Sequence, residues 1–214
     1  MKVLIFTLTH NRILYTKHCF SQLEKLAGYP YQHFIVENGS NDGTAEWLMA
    51  RDQYDARFLP ENKGITGGIK EVARHIIDFY PDIDLVIKFD NDCEVISADI
   101  IKRVVEFYEK NGPLWIVSPK IHGLNHPPQG CTTDQNGFNV ELLPHIGGIF
   151  YAMPVAGFIE MAKMPLCRDV KMSEYFVRHG FRIGYLADLH ANHYETTNGQ
   201  VERYGDNWHG KYIF

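Results

Sequence analysis

The chain has 214 residues, of which 45% are hydrophobic and 22% charged, a balance that supports a buried core and excludes a disordered chain. Lys and Arg number 21 against 26 Asp and Glu, so the formal net charge of −5 provides no global field for a polyanionic partner. No apolar run approaches the roughly 20 residues that a membrane-spanning helix needs, and the short one after Met1 lacks the cleavage site of a secretory leader.

In chain order, the apolar run Val3–Leu8 predicts a buried strand. Leu14, Cys19, Leu23 and Leu26 repeat at helical spacing and predict a helix over Asn11–Leu26, ended by Gly28 and Pro30. His33–Glu37 reads as a strand, Thr44–Met49 as a helix, and Ala56–Leu59 as a strand stopped by Pro60. In Thr66–Tyr80, Ile69, Val72, Ala73, Ile76 and Tyr80 share one helical face. Asp84–Phe89 predicts a strand, Ala98–Tyr108 a helix and Leu114–Ser118 a strand. The second half is less regular. His122–Gly137 reads as a loop, His145–Ala152 as a strand, Arg168–His179 as a helix stopped by Gly180, and Tyr185–His193 as the lead into a polar tail. The alternation predicts one α/β domain with a mostly parallel sheet and helices on both faces. The segments Thr9–Arg12, Asn38–Thr44, Glu61–Gly68 and Asp90–Glu94 each follow a strand, so they meet at the carboxyl edge, where such sheets bind ligands.

Three of these segments suggest chemistry. Asp90-Asn91-Asp92 leaves the end of an apolar strand, and two neighbouring carboxylates there repel unless a cation offsets them. Hard oxygen ligands suit Mg²⁺ or Mn²⁺, which also bind phosphates. The bland alternative is a turn with solvated acids. Glu37-Asn38-Gly39-Ser40-Asn41-Asp42-Gly43-Thr44 is a tight turn in which Asp42 or Thr44 caps the next helix. Glu61-Asn62-Lys63-Gly64-Ile65-Thr66-Gly67-Gly68 places glycines and a lysine before a helix, which suits a phosphate as well as a plain turn. The cysteines, Cys19, Cys93, Cys131 and Cys167, form no CxxC pair and read as free thiols of a cytoplasmic protein.

In this order the segments resemble the glycosyltransferase family 2-like group, with its GT-A fold. Its T-x-N-R-like segment corresponds to Thr9–Arg12, its V-D/E-N-x-S-x-D-G-T segment to Val36–Thr44, its E-N-x-G segment to Glu61–Gly68 and its DxD to Asp90–Asp92. The likeness continues more weakly through the glycine-bearing Gly147–Tyr151. It then reaches an acidic pair, of which Asp169 keeps the second member and Arg168 replaces the first, and a histidine near residue 193.

The resemblance implies a nucleotide-sugar-binding half over 1–118 and an acceptor half over 119–195. The tail over 196–214, with Gly199, Gly205, Gly210 and Trp208, is expected from its own residues to close over the donor as a lid, with a frayed terminus as the alternative. The resemblance also implies that Glu37 contacts the base, with Thr9 and Arg12 bordering it, and that Asp42 lies near the ribose. Lys63 and Gly67 fall near the diphosphate or donor sugar, and Asp90 and Asn91 line the nucleotide-sugar site. Asp92 and His193, with Asp90 as a further candidate, would hold Mn²⁺ or Mg²⁺; His190 lies close enough to compete with His193 for that role. Asp169 is the expected general base and Glu174 its fallback. The implied reaction is inverting transfer from a UDP-sugar to an acceptor hydroxyl.

Two rival readings stand beside it. A nucleotidyltransferase usually carries a glycine-rich loop after its first strand, and Thr7–Arg12 has no glycine. A catalytically weakened nucleotide-sugar-binding protein is favoured by Arg168 and opposed by the joint presence of Asp90, Asp92 and His193. The acceptor stays open among a glycan, a protein, a lipid-linked sugar and a modified nucleobase in DNA. His122, His126, His145, Arg168, Lys171, Arg178 and His179 make the second half locally basic, which suits an acidic acceptor or a solvated face.

Overall fold

The computed structural model describes residues 1–122, 131–167 and 169–194. The expected lid, Arg168 and His126 lie outside these residues. Strands β1 (Val3–Thr9), β2 (Gln32–Asn38), β3 (Asp55–Leu59) and β4 (Leu85–Phe89) alternate with helices α1 (Ile13–Leu26), α2 (Thr44–Met49) and α3 (Gly64–Phe79). There follow β5 (Cys93–Val95), α4 (Ile100–Asn111), β6 (Trp115–His122), β7 (Thr132–Asp134), β8 (Asn139–Leu142) and β9 (Phe150–Pro154). Helices α5 (Val155–Ala162) and α6 (Asp169–Arg178) precede the long strand β10 (Arg182–His193).

These strands form one sheet in the order β3-β2-β1-β4-β9-β6-β10-β8-β7, with β5 paired to β10. Its two faces are built by the alternation of side chains along each strand. Val3, Ile5, Leu85, Ile87 and Phe89 point into a core shared with α1 and α4, whereas Leu4, Phe6 and Val86 point into a second core under α3, α5 and α6. The expectation of helices on both faces therefore holds.

The mostly parallel sheet does not. β3, β2, β1 and β4 are parallel, as are β6 and β10, but β9 runs antiparallel to both β4 and β6, and β5, β7 and β8 pair antiparallel. Parallel neighbours need a crossover, usually helical, and no helix occurs between α4 and α5 among the described residues. The loop expected over His122–Gly137 contains β7 and half of a hairpin. Asn136 and Gly137 both have positive φ (51° and 84°), and Gln135 and Phe138 exchange backbone hydrogen bonds across them. That is the two-residue type I′ connection that Asn-Gly favours. The strand expected over His145–Ala152 begins only at Phe150. The Ile146 amide is instead held by the Ser173 hydroxyl of α6 at 3.1 Å.

On the α1 side, His33 is buried among Phe20, Tyr31 and Tyr54, with Nε2 3.0 Å from the Thr7 hydroxyl and no hydrogen-bond partner for Nδ1 among the described residues. Burial lowers its pKa to about 3. An unfolded histidine titrates near 6.5, so the unfolded chain takes up the proton first, and stability falls as pH drops from there toward 3. Folding should lose about 2 kcal/mol from this group between pH 7.5 and pH 5. Urea unfolding of wild type and His33→Phe at the two pH values checks this: the substitution should remove that share of the pH dependence.

Candidate active site

Because β1, β2, β3 and β4 are parallel, the loops that leave them lie at one edge, where backbone and side chains knit them together. The His10 Nδ1–H donates to the Asn38 carbonyl at 3.0 Å and the Asn11 amide to Ser40 Oγ at 2.8 Å. The Asn41 amide donates to Asn11 Oδ1 at 2.9 Å, and the Lys63 amide to Asn38 Oδ1 at 3.1 Å. Asp42 serves two helix starts, accepting from the Ile13 amide at 2.8 Å and from the Thr44 amide at 3.1 Å. Glu37 is buried and accepts from the amides of Gly39 at 3.1 Å and Ser40 at 2.9 Å, so its carboxylate shapes the turn. Thr9 is buried beside it, its hydroxyl without a hydrogen-bond partner among the described residues. A Cβ on Gly67 would meet the Lys63 side chain and one on Gly68 that of Leu8, so Gly67 leaves room for Lys63 and Gly68 lets the start of α3 pack close on β1. Lys63 Nζ stands 3.5 Å from Glu71 Oε1 and is partly exposed.

The acid pair sits at the centre of the edge. The Asp90 amide donates to the Ile149 carbonyl and the Cys93 amide to the Asp90 carbonyl, which makes Asp90–Cys93 a tight turn. Asn91 faces inward, where its amide donates to the Asn11 carbonyl at 3.1 Å and to Thr16 Oγ1 at 3.0 Å, tying the turn to the first loop. Asp92 Oδ2 accepts from Arg12 Nη1 and lies 3.5 Å from His193 Nε2. Arg12 reaches it from a left-handed backbone, as Asn11 and Arg12 have φ of 59° and 65°. For residues with a Cβ this costs about 1–3 kcal/mol each, and it persists where the surroundings over-determine it. His193 arrives through the antiparallel pairing of β5 with β10, which sets it opposite Cys93, and the Tyr194 amide donates to the Asp92 carbonyl at 3.1 Å. His190 lies elsewhere: its Nδ1 is 3.1 Å from His122 Nε2. Of the two histidines, His193 is the one beside Asp92.

Lys88 is a residue that sequence reasoning missed. It is 4% exposed, and its ammonium donates to Asp90 Oδ1 and to the Gly148 carbonyl. The signal was there: a lysine inside the otherwise apolar Leu85–Phe89. Gly148 in turn borders Asp169, the exposed first residue of α6. A Cβ at Gly148 would lie 2.5 Å from Asp169 Oδ1, so only glycine leaves that carboxylate its place. The fallback Glu174 is exposed on α6 and paired with Lys171 at 3.3 Å. Glu94, the last residue of the segment that begins at Asp90, accepts from Asn192 Nδ2 at 2.9 Å and pairs with His18 Nε2 at 2.7 Å.

The two acids respond differently to their surroundings. Burial, and then Asp92, raise the pKa of Asp90 against the opposing charge of Lys88. Burial acts on Asp92 in the same sense, but the hydrogen bond from His193 and the charge of Arg12 outweigh it and hold its carboxyl below the ordinary range. An ionised carboxylate beside an imidazole is a donor set that fits Mn²⁺ or Mg²⁺. Among the described residues no set of three such ligands is preassembled, so two protein ligands would leave most positions to water and phosphate, as Mg²⁺ prefers. A cavity of about 430 Å³ opens between Val3, Tyr31, Phe79, Tyr80 and Ile83, at the other end of the strands, and none of these acids lines it.

The family model described as "Glycosyl transferase family 2" matches residues 4–143, more than half of the chain. The chain belongs to glycosyl transferase family 2. The match covers the first four strands and the acid pair; Gly148, Asp169 and His193 lie beyond it. A comparison with curated proteins finds no match. Among solved structures, the fold is similar to that of a mannosyltransferase from Pyrobaculum calidifontis in complex with GDP-Man and Mn²⁺, with a TM-score of 0.67, 14% identity, and coverage of 94% of this chain and 59% of the other. It is similar to S. aureus TarS 1–349 in complex with UDP-GlcNAc, with a TM-score of 0.62, 14% identity, and coverage of 94% and 61%. It is similar also to GalNAc-T7 with UDP, GalNAc and Mn²⁺, with a TM-score of 0.70, 11% identity, and coverage of 97% and 49%. The family 2 chain thus spans about half to three-fifths of these longer proteins. No helix among its described residues is long and apolar enough to cross a membrane.

Proposed function

We propose that this family 2 chain transfers a sugar from a nucleotide-sugar donor, a UDP-sugar in our reading, to an acceptor hydroxyl with inversion, and that Mn²⁺ or Mg²⁺ takes part. The observation that carries the reading is the convergence of Asp92, from the first half, with His193, from the second, at the edge where four loops meet. The family supports sugar transfer, and the similar structures solved with nucleotide-sugars or UDP support the donor class. Asp92 and His193 would hold the cation, with Asp90 as a further ligand, and when bound it supplies positive charge to the leaving diphosphate.

The chain's own residues do the rest. Lys63, partly exposed at the start of α3, adds a positive charge on the diphosphate side. Lys88 holds Asp90 and the Gly148 carbonyl in fixed relation, which shapes the wall between the acid pair and Asp169. Asp169 takes the proton from the acceptor hydroxyl as the new bond forms, and its exposure at the helix start leaves it open to the acceptor. Thr9, Arg12, Asp42, Gly67 and Asn91 frame the nucleotide pocket, several of them through the loop bonds described above.

Hydrolysis of a set of UDP- and GDP-sugars with Mn²⁺ present tests the donor. Turnover of a UDP-sugar is expected; turnover of none, with intact nucleotide binding, would favour a weakened binding protein. Base choice falls to Glu37. Each of its oxygens already accepts one amide, and a remaining lone pair suits a ring N–H such as that of uracil, which cytosine lacks. Glu37→Gln should narrow the preference for UDP over CDP. The affinity ratio, measured by calorimetry, is insensitive to a general loosening of the turn, and an unchanged ratio removes Glu37 from base choice.

A further inference from the structure

One carboxylate oxygen, Asp92 Oδ2, carries two nitrogen partners from different parts of the chain, Arg12 Nη1 and His193 Nε2. We propose that Arg12 and the divalent cation compete for this oxygen, so that arrival of the cation displaces the guanidinium and releases it toward the diphosphate. The inference rests on reading Asp92 and His193 as ligands of the cation.

The charges around the acid pair support it. Lys88 on Asp90 and Arg12 on Asp92 already offset two carboxylates with two cations. A guanidinium does not lose its proton in a protein. A divalent ion added beside it therefore leaves an excess of positive charge in a largely buried place, unless the guanidinium moves or an anion arrives with the ion. A nucleoside diphosphate supplies that anion, and a fork of N–H donors fits phosphate oxygens well.

The geometry allows the exchange. The backbone around Arg12 is held: the Asn11 amide bonds Ser40, the Asn11 carbonyl accepts from Asn91, and the Arg12 carbonyl accepts from the Thr16 amide at 2.9 Å. The side chain is 33% exposed, against 5% for that of Asp92, so a turn of the guanidinium away from the carboxylate leads toward solvent while the loop backbone stays held. A left-handed backbone at two successive non-glycine residues is what delivers it there. Cation and nucleotide should then bind with positive coupling, which by linkage is the same in both directions.

The test measures Mn²⁺ binding, by the paramagnetic signal of the free ion, in wild type, Arg12→Gln, Arg12→Gly and Asp92→Asn, each with and without UDP. Arg12→Gly keeps the positive φ without strain and so guards against misfolding. Without UDP, both Arg12 variants should bind Mn²⁺ about 10-fold more tightly than wild type, and UDP should strengthen Mn²⁺ binding more in wild type than in either variant, by a factor within the usual range of about 5–150-fold. Equal or weaker Mn²⁺ binding in both Arg12 variants, with binding lost in Asp92→Asn, overturns the competition alone. Binding that Asp92→Asn leaves unchanged overturns the assignment of the cation's ligands beneath it.

Discussion

Asp92→Asn is expected to make UDP affinity indifferent to Mn²⁺ and to lower sugar transfer by about 10²-fold or more, the equivalent of losing several kcal/mol of charge stabilisation at the leaving group. Asp92 is the acid that its surroundings keep ionised: His193 and Arg12 outweigh burial there, whereas burial and Asp92 act together to raise Asp90. The amide keeps the size of the side chain but not the charge, so a loss reports on charge. It also leaves Arg12 and His193 beside a neutral group, and losing one member of a buried pair costs about 3–5 kcal/mol in the strongest cases. Thermal unfolding must therefore accompany the binding measurement, at a temperature where both proteins remain folded. Calorimetric titration of UDP with Mn²⁺ and with chelator decides the matter. Equal affinities in wild type under the two conditions would remove the cation from nucleotide binding.

Asp169→Asn should leave UDP binding within about twofold of wild type and cut transfer by about 10²–10⁴-fold, the usual contribution of a positioned base. Asp169 opens α6 next to Gly148, whose carbonyl is held by Lys88 on the side of Asp90. The carboxylate thus lies beside the segment that Lys88 ties to Asp90. Its influence extends across that wall, since after burial it is Asp169, and then Asp90, that raise the pKa of the Tyr151 hydroxyl. A rate measured at saturating donor separates the two roles: a fall in kcat with little change in donor KM fits a base, whereas a change in donor KM alone fits a positioning residue. Near-normal transfer would return attention to Glu174, although its pairing with Lys171 engages that carboxylate.

The first half was legible because each of its elements is specified locally. Val3–Leu8 or Leu85–Phe89 can be recognised as buried strands from their own apolar residues, and the segments that follow them fall at one edge once the strands are parallel. Those segments do meet, joined by Asn11, Asn38 and Asp42. The second half was less legible, because β6, β7, β8 and β9 follow one another with no helix between them among the described residues, and so the rule that makes a sheet parallel no longer applies there. Asn136-Gly137 was a readable hairpin signal that the polar composition around it obscured. Lys88 stood out as a charge in an apolar strand two residues from its partner Asp90, but nothing adjacent to it in sequence names its other partner, the Gly148 carbonyl, 60 residues away.

The order of residues alone determines the apolar periodicities, the turn chemistry and the spacing of Asp90 and Asp92, since these depend on neighbours within a few positions. It thereby determines the α/β character of the first half and the family to which the chain belongs. The tertiary structure decides which distant groups share a charge. His193 stands beside Asp92 rather than His190 because β5 pairs with β10 in a register that sets His193 opposite Cys93. A strand's register is decided by the faces that two strands bury together, and sliding it by one residue would turn His193 to the other side of the sheet.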